Sequence, residues 1–271
     1  MFVGEKMKNL VLPNSIKENI EGKSFDLDTL GESDSSVYIF DESVLKIEKT
    51  GDNANREAEA LKWLCGKLPV PQVLAFVQEN GFNYLLMSKM HGTMACDVLT
   101  DDNIEMAVTA LADGLKRLWS IDISDCPLDS RLTKRLTQAK YNIENGLVDT
   151  DDFEPNTLGE NGFTDLDALY DFLKTHQPPE DLVFTHGDYC LPNIFTENGK
   201  TVGFIDFGKA GIADRWQDIA LCVRSLQYNL CDLCALPYDV FLKAKNRLYS
   251  LLNMEEDAEK LRYYILLDEL F

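Results

Sequence analysis

Over the first hundred residues the apolar positions fall in short runs rich in β-branched and aromatic residues: FDLDTL (25–30), SVYIF (36–40), SVLKIE (43–48), VLAFVQ (73–78) and FNYLLMS (82–88), separated by GESDSS, DE and ENG. Short runs of this kind bounded by turn formers predict strands, here a mostly antiparallel sheet. One helix interrupts it over 53–67, with Ala58, Leu61, Leu64 and Cys65 near helical spacing and Pro69 and Pro71 ending it. After His91 and Gly92 the period lengthens. Ile104, Ala107, Val108, Leu111, Leu115, Leu118 and Trp119 form one apolar stripe, and Leu132, Leu136, Ala139, Ile143 and Leu147 form another. A short helix is expected over 165–174, two compact strands at LVFTH (182–186) and TVGFID (201–206), and helices from there to Phe271. The pattern predicts an α+β chain with a small sheet domain over 1–90 and a larger, mainly helical domain over 91–271. A joint near 88–92 would leave a cleft, the usual place for a ligand.

Composition narrows the function. The chain has 271 residues, 45% hydrophobic and 27% charged, enough for one large or two modest domains with a proper core. A net charge of −20 with no basic stripe excludes general nucleic-acid binding and favours cationic partners. No apolar run is long enough to span a bilayer and the N-terminus lacks a signal-peptide core, so a cytoplasmic location without a membrane partner is expected. The seven cysteines are irregularly spaced, which argues for reduced thiols. Cys231 and Cys234 form a CxxC, but no second pair or nearby histidine completes a zinc site.

The candidate chemistry lies in THGDYCLPN (185–193) and VGFIDFGKAG (202–211). Phosphoryl transfer needs a hydroxyl held in line, a group to take its proton and cations for the phosphate oxygens. HGDYCLPN has the spacing H-x-D-x4-N. Asp188 would accept the proton, Asn193 would offer its amide oxygen to Mg2+, and Asp206 would be the second ligand; magnesium prefers hard oxygen donors and keeps several waters. Upstream, Lys46 stands among apolar strand residues, where burial requires a partner, and Glu57 in NREAEAL is the natural one. The pair would point the lysine at the nucleotide phosphates of ATP. Taken singly, each residue also fits a turn former, a strand end or a solvated surface.

Beyond this signature, REAEALKWLCGKLPVP (56–71), YLLMSKMHG (84–92), SIDISDCPLDSRL (120–132), GLVDTDDF (146–153), GIADRWQDIALCVRSL (211–226) and YYILLDELF (263–271) make the chain resemble the aminoglycoside phosphotransferases, most closely the 3'-phosphotransferase group. The resemblance implies a protein-kinase-like fold and transfer of the γ-phosphoryl group of ATP to the 3'-hydroxyl of kanamycin-type and neomycin-type aminoglycosides, giving resistance. It makes Asp188 the catalytic base, Asn193 and Asp206 the magnesium ligands, and Lys46 with Glu57 the phosphate-positioning pair. Ser33 would lie over the triphosphate, backbone groups at Ser88 and Met90 would receive adenine, and His186 would brace the catalytic loop. Acceptor contacts would come from Asp152, Glu154, Glu160, Lys209, Arg224, Asp268, Glu269 and Phe271 with its terminal carboxylate. The chain would work as a monomer or weak homodimer. Two positions depart from relatives: Val44 stands where some carry an aromatic ring, and Lys209 where many carry arginine. A metabolic amino alcohol or sugar amine is an alternative acceptor, and a nucleotide-binding scaffold without turnover is an alternative class.

Overall fold

The computed structural model describes residues 12–27, 35–100, 103–151 and 153–271, with the backbone alone at 52 and 53. Ser33 and Asp152 lie outside the described residues. A helix that the apolar pattern does not announce, α1 (Asn14–Ile20), comes first and buries only Ile16 and Ile20. Then follow β1 (Asp26–Leu27), β2 (Ser36–Ile39), β3 (Ser43–Lys49), α2 (Asp52–Leu64), β4 (Val73–Glu79) and β5 (Phe82–Ser88). The sheet runs β1-β2-β3-β5-β4 with every neighbouring pair antiparallel. Asn80 and Gly81 close the β4–β5 hairpin with φ of 54° and 81°, the positive pair that a two-residue turn needs to follow strand twist.

Alternation along β3 decides where its chemistry faces. Leu45 and Ile47 are buried in one cluster with Ile16, Ile20, Tyr38, Phe40, Tyr84 and Leu86. Each such side chain stabilises the fold by about 1.5–3 kcal/mol, which fixes the register. Val44, Lys46 and Glu48 therefore project from the opposite face.

The second part of the chain continues with β6 (Thr93–Met94), α3 (Ile104–Trp119), α4 (Leu132–Glu144), α5 (Leu166–Thr175), β7 (Leu182–Thr185), β8 (Ile194–Glu197), β9 (Lys200–Phe204), β10 (Gly211–Asp214), α6 (Trp216–Gln227), α7 (Tyr238–Leu252) and α8 (Ala258–Asp268). α3 buries Ala107, Val108, Leu111, Leu115 and Leu118, the predicted stripe, and packs on α7. α6 is buried on nearly every side and packs on α8, which is why its sequence carries so little polar relief. The short strands pair with partners the pattern does not single out. β7 is antiparallel to β10, with Thr185 opposite Gly211, and β9 joins β8 in a three-stranded sheet with β6. All seven cysteines are free, and among the described residues no helix is long and apolar enough to cross a membrane.

The chain divides into two units: the described residues up to His91 together with Gly203–Gly208, and the described residues of Gly92–Val202 with Lys209–Phe271. The segment 203–208 is tied into the first unit by Phe204 N–H donating to Pro69 O at 3.1 Å and by Arg56 Nε donating to Gly208 O at 3.3 Å.

Candidate active site

In the first unit, Lys46 Nζ donates to Glu57 Oε2 at 3.0 Å and to Asp206 Oδ1 at 3.3 Å. Glu57 is buried on α2, whose other inward positions, Ala54, Ala58 and Leu61, are apolar. Burial works against the Lys46 ammonium, but the carboxylates of Glu57, Asp206 and Glu48 outweigh it and hold the lysine above its ordinary value. The lysine is thus a fixed cation on a strand, aimed by two carboxylates. The Asp206 side chain remains 46% exposed. Its backbone has φ of 63°, a region that costs a non-glycine residue energy and is retained where the surroundings demand it. The next residue, Phe207, is fully buried, so the turn at 206 swings an aspartate outward immediately before an anchored ring.

In the second unit, the loop between β7 and β8 carries His186, Asp188 and Asn193. Its entry is held from beneath by Asp218 of α6, which accepts the backbone N–H groups of His186 at 2.7 Å and Gly187 at 2.8 Å. Asp218 is fully buried; burial pushes its carboxyl up to about 7 while the two N–H groups pull it down. Gly187 has φ of 84°, and a Cβ there would stand 2.2 Å from Lys209 O, so only glycine permits this approach of two backbones. His186 is buried and accepts Asp188 N–H through Nδ1 at 3.3 Å. Its proton therefore sits on Nε2, and its Nδ1 lone pair braces the loop.

The Asp188 carboxylate is held at both oxygens. Cys190 Sγ donates to Oδ1 at 3.0 Å, and Asn193 Nδ2 donates to Oδ2 at 3.1 Å and to the Asp188 carbonyl at 3.0 Å. With its amide protons directed at Asp188, Asn193 presents its carbonyl oxygen as the group that can meet a cation. Asn193 offers an amide oxygen and, in the first unit, Asp206 offers a carboxylate oxygen, each a donor of the hard type that magnesium prefers. Among the described residues no group of three or more His, Cys, Asp or Glu could hold a metal ion.

The expected acceptor residues separate into distinct environments. Asp268 is enclosed by Arg224 Nη2 at 2.5 Å, Arg135 Nη2 at 3.4 Å and Lys209 Nζ at 3.8 Å. Burial would raise its carboxyl, but Lys209, Arg224 and Arg135 bring it down to about 2. Its charge is answered inside the protein. Glu269 is different: burial pushes it up to about 7, with the backbone N–H of Glu154, donating at 3.1 Å, and Arg224 opposing. Phe271 lies under the Arg135 guanidinium, 4.0 Å from Cζ to ring centroid, and Asn142 Nδ2 donates to Leu270 O at 2.8 Å. Glu160 is exposed in the turn between Gly159 and Gly162. In the first unit, Ser88 ends β5 with its N–H donating to Gln72 O at 2.9 Å, and Met90 follows two residues on.

Sequence reasoning brought Lys46 to Glu57 and Asp188 to Asn193, and it passed over Cys190, Arg135 and Asp218. Two of these carried a signal. Asp218 is an acid in the mostly apolar run WQDIAL, and Arg135 sits beside the stripe of Leu132, Leu136 and Ala139. Charges at positions with buried neighbours need partners. Cys190 carried none, because a cysteine in a loop reads as an inert thiol.

Comparison with known proteins follows the same lines. Residues 29–252 match the model of the phosphotransferase enzyme family. An aminoglycoside 3'-phosphotransferase of Enterococcus faecalis is 38% identical over 277 aligned residues, covering 98% of this chain and 100% of that protein. The crystal structure of an aminoglycoside-3'-phosphotransferase of type VIII superposes with a TM-score of 0.77 at 25% identity, covering 91% of this chain and 94% of that one. The aminoglycoside phosphotransferase APH(3'')-Id of Streptomyces rimosus, solved with ADP and streptomycin, shares the fold with a TM-score of 0.79 at 21% identity, covering 94% and 95% of the two chains.

Proposed function

Because this chain belongs to the phosphotransferase enzyme family, we propose that it transfers the γ-phosphoryl group of ATP to the 3'-hydroxyl of aminoglycosides of the kanamycin and neomycin type. The observation that carries this reading is the 38% identity to a 3'-phosphotransferase along 98% of the chain, joined to a carboxylate at Asp188 held at both oxygens at the motif position. ADP in the S. rimosus relative supports a purine nucleotide as phosphate donor.

In this reading Lys46, aimed by Glu57, meets the α- and β-phosphate oxygens. The ammonium is already desolvated and oriented, so little reorganisation is needed when charge shifts in transfer. Asp188 accepts the hydroxyl proton at one carboxylate oxygen as the bond from the acceptor oxygen to the γ-phosphorus forms and the bond from the γ-phosphorus to the β-phosphate oxygen breaks, with ADP as the leaving group. His186 and Asp218 hold the loop backbone that sets its position. Asn193 Oδ1 and Asp206 would hold Mg2+, which when bound neutralises the phosphate oxygens and aligns the triphosphate. Glu269 and Glu154 offer acceptor oxygens to the ammonium groups of the drug, whereas Asp268 is engaged by Arg224, Arg135 and Lys209. Phosphorylated drug would bind its target poorly, so expression would give resistance, and the enzyme would act in the cytoplasm as a monomer or weak dimer.

The test is ATP consumption by purified protein with and without kanamycin. Turnover that requires the drug, and growth of expressing cells on kanamycin, is the expected result. A specificity constant far higher for an amino alcohol or sugar amine than for any aminoglycoside would assign a different acceptor, and ADP binding with no turnover on any acceptor would assign a scaffold.

A further inference from the structure

We propose that Cys190 is a positioning residue for Asp188, its thiol fixing the carboxylate in the orientation from which it takes the acceptor proton. This rests on the reading of Asp188 as proton acceptor given above. A carboxylate turns about its last single bond in a broad, shallow well, so a proton acceptor held only by its backbone would sample many directions. Here that rotation is stopped by one donor on each oxygen, Cys190 Sγ at 3.0 Å from Oδ1 and Asn193 Nδ2 at 3.1 Å from Oδ2. If Asn193 also serves a cation through its carbonyl oxygen, the thiol is the one of the two donors committed to Asp188 alone.

The thiol is itself held in place. Cys190 N–H donates to Asp188 O at 2.9 Å, and the next residue, Leu191, donates its N–H to the buried Ser225 Oγ at 3.0 Å.

The experiment compares full-length wild type, Cys190→Ala and Cys190→Ser for kcat, for KM of ATP and kanamycin, and for ADP affinity by calorimetry. Cys190→Ala should lower kcat about 5- to 20-fold with both KM values and ADP affinity within about twofold of wild type. Cys190→Ser, which restores a donor, should recover kcat to within about threefold of wild type. Three outcomes overturn the proposal: unchanged kcat in Cys190→Ala, a serine variant as slow as the alanine one, or a loss in Cys190→Ala that ADP affinity shares in equal measure. Wild type without kanamycin-dependent turnover would instead remove the functional reading beneath it. An active wild type with an intact alanine variant removes only the role of Cys190.

Discussion

Lys46 of β3 and Glu57 of α2 meet at 3.0 Å across the face of the sheet that the apolar cluster does not occupy. Strand alternation and the burial of Leu45 and Ile47 put the lysine there, and a glutamate buried among the inward alanines and leucines of the helix awaits it. Removing Glu57 takes from Lys46 the nearer and more deeply buried of its two carboxylate partners and leaves it only Asp206 at 3.3 Å. Glu57→Gln should raise KM for ATP and lower kcat, together reducing kcat/KM about 10-fold or more, and should lower stability to urea by about 1–3 kcal/mol. Unchanged kinetics would return the pair to a purely structural role.

Asp188→Ala should reduce kcat at least about 100-fold if the residue takes the hydroxyl proton, with ADP affinity nearly unchanged. Calorimetry beside steady-state kinetics separates the two. A variant with near-wild-type turnover would place the proton acceptor elsewhere.

Asp268 links pH to stability. Its folded-state value of about 2 lies below the ordinary 3.8 because Lys209, Arg224 and Arg135 surround it against the effect of burial. The unfolded chain thus binds the proton more readily, and the contribution, about 2 kcal/mol, is complete above pH 4 and lost as pH falls toward 2. Asp268→Asn should be less stable than wild type by at least about 2 kcal/mol at pH 7, with the gap closing below pH 4. Urea titrations across that range would show it, and a gap independent of pH would count against the arrangement.

Glu269 should make acceptor binding depend on pH. Burial raises it to about 7, opposed by the backbone N–H of Glu154 and by Arg224, so it is ionised above that pH and neutral below. An ionised carboxylate attracts the drug's ammonium groups and a neutral one does not. Glu269→Gln should raise KM for kanamycin about fivefold at pH 8 and change it little at pH 6. Measuring both proteins at each pH cancels the titration of the drug itself. Equal effects at the two pH values would remove Glu269 from the acceptor contacts.

Much of this was legible in the chain because the physics was local. The alternation in SVLKIE and the Asn-Gly turn at 80 and 81 fix register over a few residues, and the stripe on α3 repeats for four turns. H-x-D-x4-N brings Asp188 and Asn193 together within one loop. What escaped depends on distant partners or on brevity. α1 has two buried residues in seven and too little periodicity to declare itself. β10 is four residues long and becomes a strand by pairing with β7. The role of Asp268 was open to misreading because its partners sit on α4, on α6 and at Lys209, far from it in sequence. An acid near the end of the chain looks available until three cations are found around it.

The most direct test of the account is the structure of the product, by phosphorus and proton NMR, after wild-type enzyme has acted on kanamycin and ATP. One phosphate on the 3'-oxygen per ATP consumed, with no such product from Asp188→Ala, is the predicted result. Phosphate on another atom of the drug, or ATP hydrolysed with the kanamycin unmodified, would contradict it.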